Sequence, residues 1–498
     1  MAELWELSAE ELARRVRTRE VSAAEVTDAA LARTERVEPL ISAYLEIFED
    51  AARERARDLD RRIAAGEDPG PLAGVPIALK DNLSVAGHAL TCGSKILSGY
   101  VAPYTATAVE RLLAAGAVIL GRTNMDEFAM GSSCENSAYQ LTHNPWDLTT
   151  VPGGSSGGSV AAVAAGSATL GFGSETGGSV RQPAALCGVV GIKPTYGRVS
   201  RHGLVAFASS LDQIGPVARH VRDGALALRV IAGGDANDST CSSRPVDDYL
   251  AGIEGGIAGL KVATIREIDP SGLGEDGRRN WRESLDRLAA AGAELTEVSV
   301  PSIGASIAIY YVIAPCEASA NLARFDGVRY GRRVDPAGTT DDLLDLYLSS
   351  RSEGFGAEVK RRIMLGTFAL SSGYQEAYYG RARGVLGSLR RELEAAFEHA
   401  DLLVTPTTPG GAFGLGEKAN DPLAMYLSDI FTTPANLAGG PAIAVPSGFD
   451  DRGLPLSLQI MARPFDEATM FRAARAFERE VAWSVAPAFR GGETVGSR

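Results

Sequence analysis

The chain has 498 residues, 45% of them hydrophobic and 22% charged, the balance of an ordinary globular enzyme, which excludes a disordered or fibrous chain. A formal net charge of −13 argues against a protein that grips nucleic acid by itself, because that binding rests on basic side chains neutralising phosphates. The acidic opening over residues 1–15 has no secretory h-region and no apolar run reads as a bilayer span, so a cytoplasmic location without membrane contact is expected.

Two capping-box signatures, Ser8-x-x-Glu11 and Ser22-x-x-Glu25, each open a stretch of helical apolar spacing, and a third charged helix runs through Arg61 and Arg62. Residues 1–66 are therefore expected to form a helical N-terminal arm. Breakers over residues 66–71 end it, and Val75-Pro76-Ile77-Ala78-Leu79 reads as a short strand that delivers Lys80 at its C-terminal end. Helix, glycine and strand then alternate: helix 109–115, Gly116, strand 117–120; helix 281–291, Gly292, strand 293–300; and helix 389–397 leading into Leu402-Leu403-Val404. This alternation predicts an α/β fold, with helices on a mostly parallel or mixed sheet and chemistry at the strand ends. The Gly-, Asp-, Ser- and Pro-rich loops at 233–245, 269–276 and 406–421 separate no two cores. One domain over 1–498 is expected, its catalytic core spanning 67–490. The five cysteines, Cys92, Cys134, Cys187, Cys241 and Cys316, have no metal-ligand spacing and read as reduced thiols, and no metal site is expected.

The densest chemical signal is Gly153-Gly154-Ser155-Ser156-Gly157-Gly158-Ser159, followed after a small-residue helix and a short strand by Gly173-Ser174-Glu175-Thr176-Gly177-Gly178-Ser179-Val180-Arg181. Glycines before a serine at a helix start let backbone N–H groups converge on one point, as an oxyanion hole or an anion site requires. Runs of Gly and Ser are more often linkers or turns, but these two lie between apolar elements. A phosphate loop lacks its Gly-Lys-Ser/Thr ending. Gly153-x-Ser155-x-Gly157 also matches a nucleophile elbow, yet no strand precedes it, and His202, His220 and His399, the downstream histidines, have no motif-like setting. A serine without histidine needs another base. Lys80 qualifies if burial lowers its pKa toward neutrality, whereas an isolated lysine at a strand end is ordinarily a solvated charge. Cys134 reads as a packed thiol for want of a partnered histidine.

Lys80 after its apolar strand, Gly-Gly-Ser155-Ser156-Gly-Gly, and Thr176-Gly177-Gly178-Ser179-x-Arg181 together resemble the amidase signature family. The resemblance implies a large mixed β-sheet core with helices on both faces. It also implies a catalytic relay of Lys80, Ser155 and Ser179, a cis peptide bond between Gly154 and Ser155, and an oxyanion hole from the N–H groups of Thr176, Gly177, Gly178 and Ser179. Glu175 departs from the family's usual Asp, and Cys134 from its common Thr.

Within that family, Asn124-Met125-Asp126-Glu127-Phe128-Ala129-Met130-Gly131, Lys193-Pro194-Thr195-Tyr196-Gly197-Arg198, Phe207-Ala208-Ser209-Ser210-Leu211-Asp212-Gln213, Asn321-Leu322-Ala323-Arg324-Phe325-Asp326-Gly327 and Gly366-Thr367-Phe368-Ala369-Leu370-Ser371 look like the A subunits of glutamyl-tRNA(Gln) amidotransferases, over essentially the whole chain. Proteins of that kind hydrolyse glutamine and send ammonia to a B subunit, which holds misacylated tRNA and uses ATP and Mg, while a small C subunit braces the pair. No cofactor on this chain is implied. By position in matching segments, Arg362 is expected at the glutamine carboxylate, Asp429 at its ammonium and Tyr310 beside it, with Arg361 and Tyr311 as adjacent alternatives. A free-standing small-amide hydrolase and a silent assembly protein remain as competing readings.

Overall fold

The computed structural model describes residues 3–334, 342–483, 486–487 and 489–490. Helices α1 (Ala9–Arg17), α2 (Ala23–Ile41) and α3 (Glu49–Ala64) open the chain, with strand β1 (Tyr44–Ile47) between the last two. Then come β2 (Pro76–Lys80), α4 (Thr107–Ala114), β3 (Val118–Thr123), α5 (Gly157–Ala164), β4 (Leu170–Glu175), α6 (Arg181–Cys187), β5 (Val190–Lys193), β6 (Gln213–Ala218) and α7 (Val221–Ile231). The second half builds β7 (Lys261–Ile265), α8 (Glu275–Ala290), β8 (Glu294–Val298), α9 (Ser306–Asn321), α10 (Leu343–Gly354), α11 (Ala357–Leu370), α12 (Arg381–His399) and β9 (Leu402–Pro406). It ends with α13 (Pro422–Tyr426), α14 (Thr433–Ala438), β10 (Ala442–Phe449), β11 (Pro455–Ala462) and α15 (Glu467–Val481).

Local chemistry sets the helix starts. At α2 the capping box is complete: Ser22 accepts the Glu25 N–H and the Glu25 carboxylate accepts the Ser22 N–H at 2.8 Å. At α1 only half of it forms, since Ser8 accepts the Glu11 N–H while Glu11 turns to Arg14 and Arg15. The arm expected to be wholly helical also contributes β1, which pairs antiparallel with β3.

All eleven strands form one mixed sheet in the order β1-β3-β2-β4-β6-β5-β10-β11-β9-β7-β8. Parallel pairing joins β2 to β3 and β4, and β7 to β8 and β9. The order falls into two blocks, one drawn from residues 44–218 and one from residues 261–462, sewn together where β5 meets β10 between Ala442↔Lys193 and Ala444↔Gly191. Helices cover both faces. Along β9, Leu402 and Val404 join an apolar cluster with Met470, Phe471 and Phe477 of α15, whereas Leu403 between them joins a second cluster with Ile309 and Ile313 of α9 and Leu389 of α12. Strand side chains alternate with period two, so the clusters lie on opposite sides.

The helical run Pro301–Arg324 is long and apolar enough in composition to cross a membrane, which the sequence reading overlooked. Half of it is buried, and its central helix α9 packs against α11, α12 and α14. Its apolarity serves the core and carries Tyr310 inward.

Candidate active site

Lys80 is the last residue of β2, in the interior of the sheet, and none of it is exposed. Its Nζ lies 2.7 Å from Ser155 Oγ, 2.9 Å from Ser156 Oγ and 2.9 Å from Ser174 Oγ. Burial pulls its pKa from 10.5 down to about 7, against the opposing pull of Asp126, Cys134, Glu175 and Asp212. A neutral amine offers two donors and a lone pair, so three hydroxyls can satisfy it when one of them donates. The Gly154–Ser155 peptide is cis, as the resemblance implies. Cys134 is buried, its thiol pushed far above the ordinary range by desolvation.

The second serine segment is the turn between β4 and α6, and Ser179, 7% exposed, is the one of the three expected catalytic residues with any solvent exposure. The Ser156 N–H donates to the Ser179 carbonyl at 3.0 Å and ties the two segments together. Among the described residues no hydrogen bond joins the Ser155 and Ser179 hydroxyls, and the N–H groups of Gly177, Gly178 and Ser179 have no acceptor. These are free donors at a helix start. Thr176 Oγ1 donates to Asp212 at 2.7 Å, and Thr432 Oγ1 donates to the Gly177 carbonyl at 2.8 Å, which fixes the turn from both sides. A Cβ at Gly178 would fall 2.2 Å from Thr432 Oγ1 and 2.8 Å from Asp429 Oδ1, so only glycine fits.

Glu175 anchors this turn. Its carboxylate accepts the N–H groups of Val180 at 2.6 Å and Arg181 at 3.1 Å, and takes the Arg181 guanidinium at 2.6 Å, with both side chains fully buried. Arg181 continues to the Thr432 carbonyl at 2.9 Å and to Asn436. Removing one partner of a buried pair leaves the other charge uncompensated, so Glu175→Ala should destabilise the fold by about 3–5 kcal/mol in urea unfolding.

Of the residues expected to hold substrate, Tyr310 and Asp429 lie directly against the turn: a Cβ at Gly177 would meet the Tyr310 ring at 2.7 Å, and Asp429 Oδ1 faces Gly178. Asp429 accepts from Ser132 Oγ at 2.5 Å through Oδ2, while Oδ1 is buried without a partner. Burial lifts its carboxyl to about 7. Arg362, only 2% exposed, stands behind Tyr310, bonded through Nε to Glu358 at 2.8 Å and lying over the Tyr311 and Tyr426 rings at 5.1 and 5.4 Å. No other carboxylate among the described residues engages it. The alternatives fare differently: Arg361 is largely exposed and also pairs with Glu358, and Tyr311 stacks on Tyr426 at 3.8 Å.

The amidase family model matches residues 25–471. The chain belongs to the amidase family. The glutamyl-tRNA(Gln) amidotransferase A subunit of Carboxydothermus hydrogenoformans is 55% identical over 477 residues, 96% of this chain and 98% of that one. Among solved structures, the glutamyl-tRNA(Gln) amidotransferase A subunit of Thermotoga maritima superposes with a TM-score of 0.82 at 42% identity, covering 99% of each chain. The peptide amidase of Stenotrophomonas maltophilia gives 0.82 at 31% identity, covering 97% of this chain and 99% of that one.

In this amidase fold several polar residues support the site that the sequence reading did not single out. Ser156 and Ser174 complete the nest around Lys80, and Asn82 donates to Ser174 Oγ at 2.9 Å. Asp126 donates its N–H to the Ser155 carbonyl at 3.2 Å, and its carboxylate accepts the Cys134 N–H at 2.9 Å. Asp212 and Ser132 brace the turn and Asp429. All six stand inside or beside the quoted motifs, which was the available signal.

Proposed function

We propose that this chain is the glutamine-hydrolysing A subunit of a cytoplasmic, tRNA-dependent amidotransferase. Its B and C partners form a heterotrimer with it, and the B subunit holds Glu-tRNA(Gln) and spends ATP with Mg to amidate it. The observation that carries the reading is the buried Lys80 amine, near neutrality and 2.7 Å from Ser155 Oγ, next to a turn whose free N–H groups surround Ser179. Near-full-length identity to amidotransferase A subunits supports it over a free-standing amidase.

In this reading Ser179 Oγ attacks the side-chain carboxamide carbon of glutamine while its proton passes to Ser155 and that of Ser155 to neutral Lys80. The N–H groups of Thr176, Gly177, Gly178 and Ser179 stabilise the oxyanion. A hydrogen bond from Ser179 to Ser155 forms in the substrate complex, where catalytic hydrogen bonds commonly tighten. The relay run backwards protonates the nitrogen, the C–N bond breaks and ammonia leaves. Water, deprotonated by the same relay, then cleaves the Ser179 ester and releases glutamate. Arg362 takes the α-carboxylate, the unpartnered Asp429 Oδ1 takes the ammonium, and Tyr310 walls the pocket.

The test is to co-express the chain with B and C subunits and assay glutamine-dependent amidation of Glu-tRNA(Gln) and of Asp-tRNA(Asn). Ammonia release should rise sharply when partners and misacylated tRNA are present. Full turnover of diverse amides by the lone chain, unchanged by partners, would instead support a free-standing hydrolase.

A further inference from the structure

We propose that Glu127 is a positioning residue that pins the start of helix α11 to the loop behind Ser155, and so sets where Arg362 meets the substrate carboxylate. The proposal rests on the reading of Arg362 given above. Glu127 is 2% exposed and follows Asp126 directly, yet the two acids reach in different directions. Asp126 serves the catalytic side, through its N–H on the Ser155 carbonyl and its carboxylate on Cys134 and Asn136. Glu127 serves α11. One oxygen accepts the Gly356 N–H at 2.8 Å, at the residue that caps α11, and the other accepts the Ser94 hydroxyl.

The carboxylate sits tight on the cap: a Cβ on Gly356 would lie 2.4 Å from Glu127 Oε2 and displace it. A carboxylate at this helix end also opposes the positive pole of its dipole. The same Ser94 Oγ lies 3.3 Å from the Gly354 carbonyl, and Phe128 packs edge-on against Phe355 with ring centroids 5.7 Å apart. The segment 354–356 is thus clamped from three sides by residues 94, 127 and 128. Arg362 lies on the second turn of the helix that begins there. Substitution at Glu127 therefore moves the guanidinium relative to Ser179 while the Lys80–Ser155 contact keeps its own supports, Ser156 and Ser174.

The experiment is steady-state glutaminase kinetics of the full chain as wild type, Glu127→Ala, Glu127→Gln, Arg362→Gln and the Glu127→Ala/Arg362→Gln double variant, with a thermal unfolding scan of each. Glu127→Ala should raise KM for glutamine about 10-fold while kcat stays within about 3-fold, a shift in binding geometry rather than in chemistry. Glu127→Gln, which keeps an acceptor for Gly356, should restore most of the affinity, with KM about 2–3-fold above wild type. In the Arg362→Gln background, Glu127→Ala should add less than about 2-fold, because a residue acting through another is silent once that other is gone. Additive effects, or a loss confined to kcat, would overturn the proposal. So would an unchanged KM in both Glu127 variants while Arg362→Gln raises KM, which leaves the Arg362 reading standing. If Arg362→Gln itself spares KM, the Arg362 reading falls and this proposal with it. Should Glu127→Ala fail to fold, Glu127→Gln decides: no rise in its KM overturns the proposal.

Discussion

Replacing Ser179 by alanine is expected to lower ammonia release from glutamine by on the order of 10⁴-fold or more, the loss that follows removal of a covalent nucleophile. The fold should hold, because the Ser179 side chain makes no hydrogen bond among the described residues, while its carbonyl still accepts from Ser156. In the proposed complex with B and C partners the same variant should still support tRNA amidation when free ammonia is supplied. Ammonium chloride titration of the complex, read by the yield of Gln-tRNA(Gln), checks this. Loss of both activities would contradict the division of labour between the glutamine-cleaving and amidating chains.

The second large effect is expected at Lys80. Lys80→Met keeps most of the length but removes the proton acceptor from among the three serine hydroxyls, and should cost about 10²–10⁴-fold in kcat. The pH dependence separates this from misfolding. In the proposed relay Lys80 works in its neutral form, so wild-type kcat should climb as pH rises through about 7 and level off above it. Measuring at saturating glutamine isolates this group, since bound ammonium keeps Asp429, also lifted to about 7, ionised. Stability should respond too. Between about pH 7 and 10.5 the unfolded chain carries a proton on Lys80 that the folded chain lacks. Unfolding therefore takes up a proton there, and the stability of the wild type relative to Lys80→Met should rise with pH across that window and stay flat below it. Urea titrations at pH 6, 8 and 10 read the difference, and a flat curve across them would mean that Lys80 is charged in the folded state.

The parts of the fold that the sequence made legible are those where local pattern and tertiary demand agree. Helices α8 and α12 carry apolar residues at helical spacing and β2 is an apolar run, so β2 and the C-terminal ends of both helices could be read within two residues, whereas the charged first turns, Glu275–Asn280 and Arg381–Ser388, were missed for want of an unbroken apolar stripe. Strands β5, β6 and β10 escaped because Gly191, Gly215, Pro216, Pro446 and Gly448 read as breakers. Pro446 and Gly448 in fact flank a register shift between β10 and β11, where a missing donor is tolerated. At the site, Lys80, Ser155 and Ser179 were visible because glycine pairs and an apolar strand marked them. Ser132 was marked only by standing at the end of the Asn124–Gly131 motif, and nothing local could name its partner Asp429, which is 297 residues away. Glu175 was noted only as a departure, and its grip on Arg181 could be seen only once the turn was folded.

The two-block sheet has a bearing on how such proteins diversify. Lys80, Ser155 and Ser179 come from the block of residues 44–218, whereas Tyr310, Arg362 and Asp429 sit among the elements of the other, across the β5–β10 seam. In the function proposed above, bond-breaking and molecule-reading are thus written in separate stretches of the gene. A lineage that rewrites its diet in the later stretch must keep the residues that dock it on the earlier one, so a graft of residues 261–462 from a distant cousin has to retain the partners of Ser132, Gly177 and Arg181.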